Sequence, residues 1–120
     1  MKINIKATNL DLTPAIRSYI EEKIGSLEKY LKRLVEKGAV EAFIEIARIT
    51  KHHQKGPVFK AECNLELPGK LVRAEHSDWN IRRAVDEIKK ELQREVSKYK
   101  ERVRPQDSKQ KNKLRELRGK

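Results

Sequence analysis

The sequence predicts an α+β fold in the order β-α-β-β-β-α, with two helices packed on one face of a four-stranded sheet. Four short segments alternate apolar and polar residues, which is typical of half-buried strands. Two longer segments repeat apolar residues every three or four positions, which is typical of helices. With 120 residues, the chain can form one domain with a modest core, followed by a tail.

The first predicted strand and helix lie in the amino-terminal third of the chain. Ile3 and Ile5 alternate with polar residues. Thr13 followed by Pro14 is a common helix start, with threonine as the N-cap and proline at the first helical position. Gly38 is a suitable stop for this helix. The apolar stripe between these ends consists of Ile16, Ile20, Ile24, Leu27, Leu31 and Leu34.

Three further strands are predicted over residues 40–49, 59–67 and 71–75. A polar connection, residues 50–57, separates the first two, and Pro68-Gly69 forms a tight turn before the last. The residues predicted to face the core are Val40, Ala42, Ile44, Ile46, Phe59, Ala61, Cys63, Leu65 and Leu67.

The last predicted helix, Asp78 to Val103, is the most informative segment of the chain. Ser77 or Asp78 is expected to cap its start, and Pro105 is expected to end it. Its apolar stripe consists of Ile81, Val85, Ile88, Leu92, Val96, Tyr99 and Val103.

The charged residues of this helix are sorted by sign around its axis. Opposite the apolar stripe lies a basic row, with a basic shoulder on one side of it and an acidic edge on the other. The basic row is Arg83, Lys90, Arg94 and Lys98; the basic shoulder is Arg82, Lys89, Lys100 and Arg104; the acidic edge is Glu91 and Glu95, partly balanced by Arg102. A phosphate backbone binds well to a contiguous row of cations. A protein that only has to be soluble does not need its charges separated by sign.

The net charge points to an acidic partner. The chain has 29 Lys and Arg against 18 Asp and Glu, a net charge of +11. The excess is shared between a predicted domain, residues 1–104, and a basic tail, residues 105–120, that is expected to be disordered on its own. This favours a nucleic acid or another acidic surface as the partner, and the alternative is a basic surface that is merely solvated.

No catalytic, metal or cofactor site is predicted. His52 and His53 are adjacent, so they point in opposite directions on an extended chain, and no Cys or acidic residue is spaced to complete a zinc site. Their loop could still contact RNA. Cys63 stands at an inward strand position, where a thiol acts as a small hydrophobic group and not as a nucleophile.

The few aromatic residues favour recognition of RNA shape and backbone over base stacking. Trp79 is expected to pack over the start of the last helix, with base stacking as the alternative. Tyr30 and Tyr99 are expected to pack at the margin of the core. No signal peptide or membrane-spanning run is present, so a soluble cytoplasmic protein without a membrane partner is expected.

Two long segments make the chain resemble the ribosome hibernation-promoting factor / ribosome-associated inhibitor family, also called sigma-54 modulation proteins. They are INIKATNLDLTPAIRSYIEEKIGSLEKYLKRL near the start and LVRAEHSDWNIRRAVDEIKKELQREVSKYKER near the end. With the strands between them, the likeness spans residues 2–102. It implies a non-enzymatic protein that binds rRNA in the tRNA and mRNA channel of the small ribosomal subunit and blocks translation.

The basic positions of this family carry over only in part. Ser26 and Glu91 stand where a lysine is common in the family, and Asn80-Ile81-Arg82 replaces its Asp-Met-Tyr. The tail is basic, where the inhibitor subtype tends to be acidic. The resemblance and the charge pattern together predict an RNA-binding set of Arg17, Lys23, Lys29, Lys32, Arg82, Arg83, Lys89, Lys90, Arg94, Lys98 and Lys100.

Because no dimerising second domain follows, the resemblance implies the short form of the family, and we expect a monomer away from the ribosome. No cofactor or small-molecule substrate is expected. Two other functions stay open. A general double-stranded-RNA-binding protein would share the β-β-β-α order of the last four elements, and a transcription modulator acting through protein contacts would suit the older family name.

Overall fold

The structure, a computed structural model, describes residues 1–49 and 58–119, with side chains described through residue 102. Its elements are β1 Lys2–Thr8, α1 Pro14–Gly25, a 3₁₀ helix Ser26–Tyr30, α2 Lys32–Glu36, β2 Glu41–Ile49, β3 Val58–Leu67, β4 Lys70–Asp78 and α3 Ile81–Gly119. The predicted α+β class and the order of strands and helical regions are confirmed.

The four strands form one mixed sheet in the order β1-β2-β3-β4. β1 runs parallel to β2, whereas the other neighbouring strands are antiparallel. A parallel pair needs a crossover connection, and the helical segments between β1 and β2 provide it. The register aligns inward residues in rows across the sheet, and the middle row consists of Ile5, Ile44, Cys63 and Ala74.

The core lies between one face of this sheet and the helices α1 and α3. Ile81 in the predicted stripe of α3 is 8% exposed, and Val85, Ile88, Leu92 and Val96 are at most 1% exposed. Burying a side chain of this size contributes roughly 1.5–3 kcal/mol, so the stripe fixes the rotation of α3 on the sheet.

The first predicted helix is divided into three pieces. α1 ends at Gly25, and the Ser26 hydroxyl donates a hydrogen bond to the Lys23 carbonyl at 2.6 Å. Glycine has low helix propensity, and a serine that bonds the preceding turn favours a change of backbone, so the chain tightens into the 3₁₀ helix. The break does not disturb the apolar stripe, because Leu27 and Leu31 both remain buried.

Both predicted ends of this helical region are confirmed. Thr13 Oγ1 accepts a hydrogen bond from the Ile16 backbone N–H at 3.2 Å, as an N-cap does. Gly38 has a φ of +68° and its N–H donates to the Val35 carbonyl at 2.9 Å. A left-handed residue that closes the last turn is the usual role of glycine after a helix.

The predicted cap of the last helix is wrong. β4 extends to Asp78, so Ser77 and Asp78 still pair with β3 and belong to the strand. The N-cap is Asn80, whose Oδ1 accepts a hydrogen bond from the Arg82 backbone N–H at 2.9 Å. Asp78 Oδ1 instead accepts a hydrogen bond from the Asn80 N–H at 3.0 Å and so shapes the turn before the helix.

The predicted end of this helix at Pro105 is also wrong, because α3 continues to Gly119. A proline inside a helix cannot donate to the carbonyl four residues earlier, here that of Glu101, and typically costs about 3 kcal/mol. The residues after it are mainly Lys, Gln, Arg, Leu and Glu, which have high helix propensity and allow the helix to continue. The boundary between a domain, 1–104, and a tail, 105–120, stays a prediction.

Cys63 is a core residue, as predicted. It is fully buried, and burial raises the pKa of its thiol to about 12, with the charge of Glu62 acting in the same direction. A thiol in this environment is a poor nucleophile. His52 and His53 lie outside the described residues. None of the described helices is both long and apolar enough to cross a membrane.

Candidate nucleic-acid interface

The basic row of α3 lies on the solvent side of the helix, opposite the buried stripe, and all four of its residues are exposed. Two of them form ion pairs within α3. Lys90 Nζ lies 3.4 Å from Glu87 Oε1, and Lys98 Nζ lies 3.3 Å from Glu95 Oε1. Exposed pairs of this kind contribute about 0–1 kcal/mol, so a phosphate can replace the carboxylate at little cost.

The basic shoulder of α3 faces α1, and Tyr19 joins the two helices. The Tyr19 hydroxyl donates a hydrogen bond to Asp86 Oδ1 at 2.5 Å, and Lys23 Nζ lies 3.8 Å from the same oxygen. Lys23 Nζ and Arg82 Cζ lie 5.5 Å and 5.6 Å from the centroid of the Tyr19 ring, within cation–π distance. One cation from each helix is therefore held at the same tyrosine.

Tyr30, at the end of the 3₁₀ helix, forms a second junction of the same kind. Lys29 Nζ lies 5.1 Å and Lys100 Nζ 6.0 Å from its ring centroid. Gln93 Nε2 donates to the Tyr30 hydroxyl at 3.1 Å, and Lys89 Nζ donates to Gln93 Oε1 at 2.9 Å. Lys29, Lys89 and Lys100 thus gather around this second tyrosine.

An open groove connects the first junction to the basic row. Its lining contains four cations, Lys23 from α1 and Arg83, Lys89 and Lys90 from α3, together with three carboxylates, Asp78, Asp86 and Glu87. Arg94 continues the row one turn beyond Lys90, and Lys98 lies one turn further still. The structure thus brings nine predicted residues onto one helical face, namely Lys23, Lys29, Arg82, Arg83, Lys89, Lys90, Arg94, Lys98 and Lys100.

Two predicted residues are not joined to this face by any described contact. Arg17 is exposed on α1, with its Nη1 3.7 Å from Glu21 Oε1. Lys32 is exposed at the start of α2. The side chain of Arg104, the remaining member of the basic shoulder, lies beyond the described side chains.

The acidic edge lies on the flank of α3 turned away from α1. Glu91 and Glu95 stand on the opposite side of the helix from Arg82 and Lys100, which contact the two tyrosines. A polyanion that approached this face would therefore meet mainly cations at the helix crest and toward α1, with Asp86 and Glu87 among them, and mainly carboxylates toward β4.

The outer face of the sheet carries charges of both signs that pair with each other. The register places there the cations Lys2, Lys6, Lys60 and Arg73 and the acids Glu41, Glu45, Glu62, Glu66 and Glu75. Lys60 Nζ lies 3.1 Å from Glu75 Oε1, and Arg73 Nη2 lies 3.1 Å from Glu62 Oε1. Because five acids stand against four cations, the face has no positive excess and is a poor surface for phosphates.

The aromatic predictions have mixed outcomes. Tyr99 is half-buried against the core and donates a hydrogen bond to the Pro68 carbonyl at 3.0 Å, and Tyr30 is also half-buried against the core, as expected. Trp79 does not pack over the helix start, because 56% of its surface is exposed. The turn between Asp78 and Asn80 is closed by polar hydrogen bonds and needs no apolar cover.

Sequence reasoning missed the residues that join the two helices. Tyr19 and Asp86 are 67 residues apart and Gln93 and Tyr30 are 63 residues apart, so no local pattern connects them. The spacing of Tyr19 and Lys23, one helical turn apart, was the only local signal of a cation–aromatic pair.

The geometry suits an extended polyanion better than a small ligand. The cations lie along an exposed helical face, and no group of three metal-ligating side chains occurs in the part of the chain that the structure describes. Exposed lysines and arginines bind phosphates mainly by charge and counterion release, which does not require a closed pocket.

The chain belongs to the family described as sigma 54 modulation protein / S30EA ribosomal protein, and the match covers residues 3–104. The predicted family is therefore confirmed. The chain is 33% identical over 105 residues to the ribosome hibernation promotion factor of Lactococcus lactis subsp. cremoris and 32% identical over 103 residues to that of Staphylococcus aureus. Each alignment covers 86% of this chain, but only 51% and 50% of the respective relatives, so the chain spans about half their length.

Two solved structures share the fold. The N-terminal domain of Thermus thermophilus Protein Y superimposes with a TM-score of 0.67 at 29% identity, over 82% of this chain and 99% of that one. A ribosomal subunit interface protein from Coxiella burnetii superimposes with a TM-score of 0.66 at 23% identity, over 83% of this chain and 98% of that one. The second likeness shows the fold alone.

The hydrogen bond from Tyr19 to Asp86 makes a pH-dependent contribution to stability. This bond needs the hydroxyl proton and, with burial as a second cause, raises the pKa of Tyr19 from 10.0 to about 12. The contribution is therefore complete below the unfolded pKa and is lost as the pH rises through the folded pKa. We expect Tyr19→Phe to lower the free energy of unfolding by about 1 kcal/mol at neutral pH, and by progressively less between pH 10.0 and 12.

Urea denaturation of both proteins at a series of pH values measures this difference. Comparison with the wild type at each pH controls for the titration of the lysines, which both proteins share. A stability difference that stays constant across this pH range would show that the hydroxyl proton does not support the junction.

Proposed function

We propose that this protein binds rRNA of the small ribosomal subunit, in the channel used by tRNA and mRNA, and blocks translation without catalysing a reaction. The observation that carries the proposal is the different balance of charge on the two faces: cations outnumber acids on the helical face, whereas acids outnumber cations on the outer sheet face. Membership of the S30EA ribosomal protein family supports a ribosomal polyanion as the partner.

The proposed mechanism is steric and electrostatic. The row and shoulder of α3, with Lys23 and Lys29 from the first helical region, contact phosphates on neighbouring rRNA segments, and the sheet supports the helices from behind. Each phosphate contact releases condensed counterions, so binding is strong at low salt and weakens as the salt concentration rises. This electrostatic binding does not need recognition of specific bases, since phosphate contacts carry no sequence information directly. The proposed site of action is the cytoplasm.

Relatives support this proposal by name only. Two proteins are named ribosome hibernation promotion factor, and this chain matches about half the length of each. A general double-stranded-RNA binder would use the same cations, but bulk duplex RNA would then displace it from small subunits. A transcription modulator acting through protein contacts would bind small subunits weakly at every salt concentration.

Reversing two charges of the basic row tests the proposed interface. Arg94 and Lys98 are exposed, so Arg94→Glu/Lys98→Glu leaves the core stripe unchanged. We expect the affinity for purified small subunits to fall at least about tenfold, or roughly 1.4 kcal/mol, because two phosphate contacts become repulsive. Thermal stability should change little, since surface substitutions usually cost within about 0.5 kcal/mol.

The matched control is Lys2→Glu/Lys6→Glu on the outer sheet face, which changes the net charge by the same amount. Lys2 and Lys6 are 75% and 78% exposed, and each Nζ lies 3.9 Å from a glutamate of β2. We expect this variant to retain most of its affinity. Equal losses of affinity in the two variants would mean that only the total charge matters, and tight binding by the α3 variant would exclude the basic row.

Removing the predicted tail tests whether it adds affinity without defining the site. A chain that ends at Arg104 lacks Lys109, Lys111, Lys113, Arg115, Arg118 and Lys120, against Asp107 and Glu116. For every phosphate that the tail neutralises in the full chain, its removal should reduce the slope of log affinity against log salt by roughly 0.7–0.9. We therefore expect a folded protein with lower affinity at low salt and a shallower slope.

Sedimentation with small subunits at several salt concentrations measures the slope, and thermal melting of the truncated chain controls for folding. Loss of folding would place the boundary after residue 104. An unchanged slope would show that the tail does not contact RNA.

A further inference from the structure

Trp79 is the largest exposed apolar side chain among the described residues, with 56% of its surface accessible. Tryptophan is highly buried on average, because its ring has a large apolar area to remove from water. A single exposed apolar residue is nonetheless common on protein surfaces and has no meaning by itself. What distinguishes Trp79 is its surroundings.

Two arginines follow Trp79 on the first turn of α3. Arg82 and Arg83 are exposed, and both belong to the predicted RNA-binding set. Asp78, which precedes Trp79, lines the same open groove as Arg83 and three lysines of the helical face. Trp79 therefore directly follows a residue that lines this groove, and it precedes Arg82 and Arg83 by three and four positions.

The backbone at Trp79 is held in place on both sides. The hydrogen bond from the Asn80 N–H to Asp78 Oδ1 spans this residue, and Asn80 in turn caps α3. A side chain on a fixed backbone with only two side-chain torsions loses little conformational entropy when it is ordered by a ligand.

The Trp79 ring also differs from the two tyrosines of the helical face. Tyr19 and Tyr30 each have two cations within 6.0 Å of the ring centroid. Among the described residues, no cation lies at cation–π distance from the Trp79 ring. The tyrosine rings are thus used to hold the helices and their cations together, whereas the indole remains available to a ligand.

We propose that the RNA bound by this protein presents an unpaired base that stacks on Trp79, while Arg82 and Arg83 contact the adjoining phosphates. An exposed aromatic ring beside cations is the usual arrangement for binding an unpaired nucleotide. A perfect duplex cannot use this contact, because its bases remain stacked within the helix. This inference rests on the proposed function and deepens it, since it names the form of RNA that the site takes.

Three variants test the stack in binding to purified small subunits. We expect Trp79→Ala to weaken binding about five- to 150-fold, which corresponds to the roughly 1–3 kcal/mol of one base stacked on an aromatic ring. Trp79→Phe should retain most of the affinity, because it keeps an aromatic face. Leu71→Ala is the matched control: Leu71 is 57% exposed on β4, so the variant removes a similarly exposed apolar side chain and should bind like the wild type.

The outcomes separate this inference from the proposed function. If Trp79→Ala binds as tightly as the wild type while Arg94→Glu/Lys98→Glu binds weakly, the stack is wrong and the proposed function stands. Equal losses of affinity for Trp79→Ala and Trp79→Phe, or for Trp79→Ala and Leu71→Ala, also overturn the stack. If the wild type does not bind small subunits at all, the proposed function fails and the inference fails with it.

A second measurement uses the fluorescence of Trp79, the only tryptophan in the chain. Wild-type protein is titrated with two blunt-ended synthetic RNA duplexes that differ only in one unpaired adenine bulged from one strand. We expect the duplex with the unpaired base to bind more tightly and to quench the fluorescence, and the fully paired duplex to leave it nearly unchanged. Equal affinity and equal fluorescence with the two RNAs would contradict the stack.

Discussion

Burial of the apolar stripe of α3 against the sheet is the constraint on which the rest of the structure depends. Ile88, Leu92 and Val96 are fully buried, and each contributes roughly 1.5–3 kcal/mol. Exposed ion pairs contribute about 0–1 kcal/mol each. Apolar packing therefore decides how the helix is rotated, and the direction of its charges follows from that rotation.

The charges of α3 act as a surface only because α1 lies beside it. The contacts of Tyr19 with Asp86 and of Tyr30 with Gln93 connect the two helical regions, and they bring Lys23 and Lys29 next to the basic shoulder. An acidic residue inside a basic face would otherwise oppose the binding of phosphate. Asp86 has a structural use there, because it accepts the tyrosine hydroxyl and holds a lysine at the junction.

The parts of the fold that could be predicted from sequence are those set by local periodicity. The stripe of α3 and the inward residues of β3 follow from spacings of three to four and of two, and apolar burial enforces both. The division of the first helix was not predictable in this way, because a single glycine does not by itself end a helix and the apolar stripe continues through Leu27 and Leu31 across the break. The cap at Asn80 was missed because three neighbouring residues have side chains able to cap, and strand pairing decides among them.

The charged residues of the candidate site could be predicted from the sequence, but the contacts between them could not. The basic row follows from helix geometry alone, whereas the junction at Tyr19 depends on how α1 lies across the sheet. Trp79 is exposed in the turn that directly follows β4, and this strand ends at Asp78, later than its sequence indicates. Such features arise from tertiary packing, which a single sequence does not reveal without the fold.

The most direct test of the separation between the two faces is chemical modification of lysines on the intact complex. Acetylation of the protein alone and of the protein bound to small subunits, read by mass spectrometry, reports the accessibility of each lysine. We expect strong protection of the helical-face lysines Lys23, Lys29, Lys89, Lys90, Lys98 and Lys100, and little change at Lys2, Lys6 and Lys60 on the outer sheet face. Protection of the sheet lysines with continued modification of the helical ones would contradict the proposed orientation.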